Sequence, residues 1–146
     1  MRNVKFIIVA SLVLFLYSCD STVKDLSMKL EKMAVSSKSD TVTFKFSDLI
    51  GSDYDSLLVL PPYTMIDRVE KDFSITLDEI KNLGIERRDD IYVLCLFKNN
   101  ILTEYEILKR NSVDYNNIAD LCFIKKEAEF RIIKNQGIYN IEKAKH

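Results

Sequence analysis

A short apolar run, Ser56-Leu57-Leu58-Val59-Leu60, decides the fold, and it ends at the double proline Pro61-Pro62. The run is too short for a buried helix, and an unbroken apolar sequence of this length is typical of a strand covered on both faces. The prolines must end the strand, because proline has no backbone N–H to donate to a sheet. Turn-forming residues around Gly51 and Asp55 precede the run. The sequence therefore predicts a central strand over 56–60.

Further strands are predicted on both sides of this run. In residues 41–46 apolar and polar side chains alternate, which is the pattern of a half-buried strand. Two longer β-like segments, 91–97 and 101–108, flank the turn Lys98-Asn99-Asn100 and predict an antiparallel hairpin. The stretch 110–117 has no regular pattern. The remaining strands are expected at 121–125, 127–133 and, after a turn at Gln136-Gly137, at 138–141.

Two short helices are predicted between the central strand and the hairpin, at 67–71 and 76–83. In the second helix Thr76 is the expected N-cap, with Glu79 three residues later, and Gly84 is the expected stop. The apolar stripe of that helix consists of Leu77, Ile80 and Leu83. Together these elements predict an α+β fold, with a mainly antiparallel β-sheet and short helices packed on one side.

An amphipathic helix is predicted upstream of the first strand. Four apolar residues recur there at helical spacing, namely Val23, Leu26, Leu30 and Met33. The helix either packs on the domain or lies near a membrane, and its mixed charge favours the packed alternative. The polar stretch 36–40 is predicted to be a linker to the main domain.

The first residues have the pattern of a secretion signal. Arg2 and Lys5 form a basic head, and an apolar run over 6–16 follows, interrupted only by Ser11. A helix that spans the hydrocarbon core of a bilayer needs about 20 apolar residues. The run is shorter than that, so a cleaved signal peptide is favoured over a permanent transmembrane anchor.

The segment Leu16-Tyr17-Ser18-Cys19 resembles the lipobox of bacterial lipoproteins. The resemblance implies that Cys19 receives a diacylglycerol on its sulfur, that the chain is cut after Ser18, and that the new amine is acylated, commonly with palmitate. Such a protein is held at a membrane of the cell envelope, because two or three acyl chains anchor firmly whereas one chain binds reversibly. The inner or outer membrane, and the side it faces, stay open.

The predicted signal peptide, lipidation site and fold divide the chain into three parts. Residues 1–18 are the expected signal peptide, 19–39 the lipidated N-terminus with its short amphipathic helix and linker, and 40–146 a single α+β domain. Loss of Arg2 and Lys5 from the 21 basic residues leaves 19, against 22 acidic residues, for a net charge of −3. Such a balance gives no strong field for binding nucleic acid, so no nucleic-acid partner is expected.

The common catalytic templates are missing from the sequence. The sole histidine is the last residue, His146, and the three glycines form no phosphate-binding loop. Histidine is the usual general base and a frequent zinc ligand, so most hydrolase and zinc-site patterns are excluded. Carboxylate pairs remain, but each is explained by a turn or a solvent-facing position: Asp53 with Asp55, Asp89 with Asp90, and Glu127 with Glu129. No catalytic residue, metal or cofactor is expected.

Cys95 and Cys122 both lie in apolar, strand-like runs. The envelope permits disulfides, so a bridge between them is one alternative. The other is two buried free thiols that act as small hydrophobic residues. A bridge requires the two Cα atoms to lie about 4.4 to 6.8 Å apart.

The segment Leu58-Val59-Leu60-Pro61-Pro62-Tyr63-Thr64 resembles the strand, Pro-Tyr-Thr corner and helix of a group of small, functionally uncharacterised bacterial lipoproteins. The similarity extends loosely over residues 41–133. It supports the predicted fold and brings no established activity. This chain lacks the tryptophan that members of the group carry near the strand entrance.

Tyr63 and the charged run 86–90 are the candidate partner-binding features. Tyr63 either caps the core at the corner or anchors a protein partner, since rigidly held aromatic residues supply contact area at low entropic cost. Arg87 and Arg88 belong to a loop that is either solvated or a charged rim around such a contact.

Three functions are therefore compared. The leading one is a non-catalytic, membrane-anchored envelope protein that binds another protein, such as an inhibitor or immunity protein. The second is a structural or assembly accessory of an envelope complex. The third, and least favoured, is a small enzyme that uses carboxylates.

Overall fold

The computed structural model describes residues 26–110, 113–117, 122–135 and 138–144. The helices are α1 Leu26–Ser36, α2 Phe46–Leu49, α3 Ile66–Phe73 and α4 Asp78–Lys81, with 3-10 turns at Ile85–Arg87 and Lys125–Glu127. The strands are β1 Thr41–Lys45, β2 Ser56–Leu60, β3 Ile91–Lys98, β4 Ile101–Lys109, β5 Val113–Asn117, β6 Cys122–Ile124, β7 Glu129–Asn135 and β8 Ile138–Lys143.

The strands form two four-stranded sheets. The first sheet has the order β1-β7-β8-β5, and the second has the order β4-β3-β2-β6. All neighbours pair antiparallel except β5 and β8, which run parallel. The predicted α+β class with mainly antiparallel pairing is confirmed. The division into two sheets is additional, because alternation along a strand identifies a buried face but not the sheet that covers it.

The second sheet lies between two hydrophobic cores, and its central strands are buried on both faces. Leu57 and Val59 of β2 point into the core shared with the first sheet, whereas Leu58 and Leu60 point into a core shared with α3 and α4. All residues of β3 except the last are also buried. The central strand predicted over 56–60 is therefore confirmed, and the short helices α3 and α4 pack on the side of this sheet away from the first sheet.

Aromatic rings join the two sheets in the shared core. The ring of Phe130 in β7 contacts those of Phe46 and Phe123, each with centroids 4.9 Å apart and in edge-to-face geometry. Phe44 meets Phe46 in the same geometry at 5.2 Å. Such pairs contribute beyond the burial of their area, by about 0.5 to 1.5 kcal/mol each.

Helix α1 packs into the shared core, which is the packed one of the two sequence-based alternatives. Leu26, Leu30 and Ala34 are buried in it, and Met33 packs against it. The helix contacts β4 and β5, the edge strands of the two sheets. Although the sequence assigns it to a segment before the domain, α1 is packed with the domain in the structure. Val23, the first residue of the predicted stripe, lies outside the described residues.

The predicted hairpin is confirmed as β3 and β4. Its turn is formed by Asn99 and Asn100, whose φ angles of 51° and 61° fit a two-residue turn of type I′. The predicted N-cap at Thr76 is wrong, because α4 begins later, at Asp78, and Leu77 occupies the cap position. The predicted stop at Gly84 is also wrong, because α4 ends at Lys81 with Asn82 as its C-cap. Gly84, with a φ of 64°, instead precedes the 3-10 turn Ile85–Arg87.

Two elements were not predicted. The stretch 110–117 contains β5, which pairs in parallel with β8 across a register shift, and such pairing leaves no local turn signal. Helix α2 is a single turn whose first residue, Phe46, continues the alternation of β1 in sequence but starts a helix in the structure. The predicted turn at Gln136-Gly137 lies outside the described residues.

Candidate protein-binding surface

The corner after β2 is built around a strained tyrosine. Tyr63 has a φ of 61°, in the left-handed region that residues other than glycine seldom adopt. Its backbone N–H donates to the carbonyl oxygens of Ile85, at 3.0 Å, and Arg88, at 3.2 Å. Beside it, the Thr64 hydroxyl donates to the Pro61 carbonyl oxygen at 2.5 Å. The left-handed conformation costs about 1 to 2 kcal/mol, and these hydrogen bonds hold the residue in it.

The 3-10 turn at Ile85–Arg87 joins this corner to α3. The Glu86 carboxylate accepts a hydrogen bond from the Ile66 N–H, at 3.0 Å, and so caps the first turn of α3 from another element. The Ile85 side chain is fully buried beneath the turn. The corner, the turn and the start of α3 therefore form one rigid unit.

Large side chains are exposed on this unit. Tyr63 is 59% exposed and Met65 is 58% exposed. Both side chains are large and mainly apolar, so they would bury a sizeable area if a partner protein covered them. Arg87 is exposed and forms no ion pair with any described residue. We refer to the side chains of Tyr63, Met65 and Arg87 as the corner surface.

Arg88 lies in the same unit but is already engaged. Its guanidinium donates two hydrogen bonds to the carboxylate of Asp90, at 2.8 and 2.7 Å. The hydrogen bonds raise the pKa of Arg88 and lower that of Asp90. Of the two arginines predicted to contact a partner, Arg87 is therefore the free cation, and Arg88 stabilises the loop.

The sequence identifies Tyr63 but not the roles of two other residues at this corner, Met65 and Glu86. The sequence does not indicate that Met65 is exposed, because a methionine next to a predicted helix is usually a core residue. The charged run 86–90 predicts a solvated position for Glu86, whereas the Glu86 carboxylate caps α3. The positive φ of Tyr63 could not be read from the sequence, since a glycine or asparagine at that position would have been the signal.

The acidic pairs act as structural groups. Asp53 and Asp55 both bind the Lys98 ammonium group at 3.1 Å, and Asp55 also accepts from the Asn99 N–H at 2.9 Å. The Asn99 N–H and the Lys98 ammonium hold the pKa of Asp55 below its ordinary value. A general acid at neutral pH needs the opposite shift. The pair closes the β3–β4 turn.

The other acidic pairs also occupy ordinary positions. Asp90 is bound by Arg88, and Asp89 is exposed beside it. Glu127 ends a 3-10 turn instead of lying on a strand, and Glu129 begins β7. Among the described residues, no group of three or more His, Cys, Asp or Glu residues is arranged to hold a metal ion.

A groove of about 670 Å³ is lined by Asp89, Asp90, Lys109, Arg110, Asp114 and Ile138. Two of its charged groups are bonded to each other, since Arg110 contacts the Asp114 carboxylate at 3.4 Å, and Asp114 also accepts from the buried Tyr92 hydroxyl at 2.6 Å. These contacts tie β5 to β3. They give the Asp114 carboxylate a structural role.

The proposed disulfide is not formed, and both cysteines have free thiols. Cys95 and Cys122 pair with Leu58 from opposite sides, so β2 lies between their strands. Two strand spacings separate them by about 10 Å, beyond the reach of a disulfide. Cys95 is fully buried and fits the hydrophobic alternative, whereas Cys122 is exposed on the edge strand β6.

The lipobox, Cys19 and His146 lie outside the described residues. Within the part of the chain that the structure describes, no helix is long and apolar enough to cross a membrane. No protein-family model matches the sequence, and neither the curated proteins nor the solved structures contain a significant match.

Proposed function

We propose that this chain is a lipid-anchored protein of the bacterial cell envelope that binds another protein without catalysing a reaction. A protective role, such as inhibition of or immunity to an envelope-acting protein, fits this proposal best. The sequence supports the anchor through the signal-like run and the lipobox resemblance around Cys19. The corner surface supports the binding role.

The single observation that carries the binding role is the exposed, strained position of Tyr63. A conformation that costs free energy persists only where its surroundings impose it, and such positions cluster at binding and catalytic sites. Here Ile85 and Arg88 hold the backbone, and the ring is left 59% exposed. A rigid aromatic side chain loses little entropy when a partner covers it.

The charges around the corner indicate the chemistry of the partner. Glu86 is bonded to α3 and Asp90 to Arg88, which leaves Arg87 and Asp89 as the exposed charges of this loop that form no ion pair with a described residue. Arg87 is the cation of the two. A complementary surface would offer an apolar pocket with a carboxylate at its edge.

The test is capture of a partner by the anchored protein, solubilised in mild detergent, from envelope extract and from secretions of neighbouring strains. The wild-type protein is compared with Tyr63→Gly, which removes the ring without imposing a strained residue, and with Ile124→Ala. Ile124 is the matched control, because it is 57% exposed and far from the corner. It lies on β6 and pairs with Ser56, at the end of β2 opposite to the corner.

We expect a specific protein to be retained by the wild type and by Ile124→Ala, and to be lost with Tyr63→Gly. Equal retention by all three would exclude the corner surface as the binding site. Recovery of a stoichiometric membrane complex instead of a diffusible protein would favour the assembly-accessory function.

A further inference from the structure

Helix α1 has an outward face that its packing leaves uncovered. Leu26, Leu30 and Ala34 form the buried stripe, and Met28 and Val35 lie on the opposite side of the helix. Met28 is 51% exposed and Val35 is 63% exposed. A surface helix on a globular domain normally places polar residues at these outermost positions.

Met28 and Val35 are seven residues apart, which corresponds to two helical turns and about 10 Å along the axis. Both side chains therefore point in nearly the same direction. A flat apolar surface touches both of them only when the helix axis lies parallel to that surface. Lys32, which is exposed, lies between them on the same side.

The segment that carries this face is basic, although the chain as a whole is slightly acidic. On the face itself Glu31 lies beside Lys32, and the Lys29 ammonium group donates to the Leu49 carbonyl oxygen at 2.8 Å. Residues 26–39 contain Lys29, Lys32 and Lys38 against one acidic residue, Glu31. Lysines close to a bilayer are attracted by anionic lipid headgroups, whereas the acidic remainder of the domain is not.

The length of chain before α1 places the helix close to any lipid at Cys19. Seven residue steps separate Cys19 from Leu26, which can span at most about 25 Å. At that distance the attachment makes contact with the bilayer intramolecular, so a weakly apolar face on a basic segment is enough to set the orientation.

We infer that the outward face of α1, formed by Met28, Lys32 and Val35, lies flat on an anionic lipid bilayer and orients the domain. This inference rests on the proposed lipid anchor at Cys19. The face and the corner surface belong to different layers, because α1 packs in the core between the sheets whereas the corner joins β2 to α3 on the far side of the second sheet. The face of α1 and the corner surface are therefore separate surfaces.

The chain contains no tryptophan, so a single introduced tryptophan reports its own surroundings. The lipid-bearing protein, isolated from membranes, is reconstituted into vesicles of phosphatidylglycerol and phosphatidylcholine with brominated acyl chains, which quench tryptophan at short range. The probes are Met28→Trp and Val35→Trp. Met65→Trp is the matched control, since it replaces another methionine of similar exposure.

We expect brominated lipid to reduce the emission of both α1 probes by about two-fold or more and to leave the Met65→Trp control unchanged. Adding Lys32→Glu, or using vesicles without phosphatidylglycerol, should weaken the quenching. Unquenched α1 probes on protein that floats with the vesicles would overturn the inference and leave the anchor intact. Blue-shifted but unquenched emission would overturn it too, because a second copy of the chain then covers the face.

Failure of the anchor has a different signature, since the protein would carry no acyl chain and would not float with the vesicles. In that case the same variants are coupled through the Cys19 thiol to a maleimide lipid, in a Cys122→Ser background. Quenching of the α1 probes would then support the membrane-facing surface independently, and its absence would overturn it.

Discussion

Leu26 and Glu106 are 80 residues apart in the sequence, and the Leu26 backbone N–H donates to the Glu106 carboxylate at 3.3 Å. The neighbouring Ser27 N–H donates to the other carboxylate oxygen at 3.4 Å. The first turn of α1 contains no acidic residue of its own, so a strand residue provides the negative charge that a helix N-terminus favours. Glu106 thereby holds the first described turn of α1 against β4.

Replacing Glu106 with alanine should lower the free energy of unfolding by about 1 kcal/mol, the typical cost of losing a helix N-cap. The measurement is urea denaturation followed by far-ultraviolet circular dichroism. Glu31→Ala is the control, because Glu31 is exposed on α1 and is expected to have a smaller effect. An equal loss in both variants would show that the Glu106 bonds add nothing specific.

Tyr63 allows the left-handed strain to be measured directly. Glycine adopts a φ of 61° without a steric penalty, whereas alanine keeps the penalty of tyrosine. Tyr63→Gly should therefore be more stable than Tyr63→Ala by about 1 kcal/mol, even though glycine is usually the less stabilising residue. Denaturation midpoints of the two variants decide the matter, and a more stable alanine variant would mean that Tyr63 is not strained in solution.

Removing the hydroxyl group from two buried tyrosines, Tyr54 and Tyr92, should change the stability of the domain in opposite directions. The Tyr54 hydroxyl has no hydrogen-bond partner among the described residues, and burial raises the pKa of Tyr54 to about 12. Tyr54→Phe removes an unsatisfied polar group and should stabilise the domain by about 1 kcal/mol. Tyr92→Phe loses the 2.6 Å bond to Asp114 and should destabilise it by about 2 kcal/mol.

The midpoint of thermal unfolding of each variant checks the prediction. Each substitution removes only the hydroxyl oxygen, so a change in packing does not obscure the effect of the hydrogen bond. A decrease in stability for Tyr54→Phe would indicate that an ordered water satisfies the Tyr54 hydroxyl.

The two free thiols should differ in reactivity. Burial raises the pKa of the Cys95 thiol well above its ordinary value, and the side chain has no access to solvent. Partial burial also raises the pKa of the Cys122 thiol, but Cys122 is exposed on an edge strand, so a reagent can reach it. In a Cys19→Ser variant a thiol reagent should modify one cysteine rapidly in the native state and the second only after unfolding. Cys122→Ser should abolish the rapid phase. If no thiol reacts until a reducing agent is added, Cys95 and Cys122 form a disulfide, which would contradict the position of β2 between their strands.

The parts of the fold that follow from local pattern could be predicted. The unbroken apolar run 56–60 identified the central strand, and Asn99-Asn100 between two strands identified the hairpin. Spacing also identified the buried stripe of α1, which includes Leu26 and Leu30. These features depend on residues that are close in the sequence, so their signals are local.

The remaining features depend on distant residues and left no such signal. The parallel pairing of β5 with β8 requires two segments that meet only in the folded chain. The cap that Glu106 provides for α1 looks, in sequence, like an ordinary polar position on a strand. At the candidate site, the double proline located the corner, but the strain at Tyr63 comes from its bonds to Ile85 and Arg88.

The most direct test of the lipid-anchored account is the intact mass of the chain recovered from bacterial membranes. We expect a protein that begins at Cys19 and carries a diacylglycerol on that residue, with an added acyl chain on its amine where the host transfers one. Cys19→Ser should abolish the modification and release the protein from the membrane. A chain with an unmodified Cys19, or one that keeps residues 1–18 in the mature protein, would contradict the account.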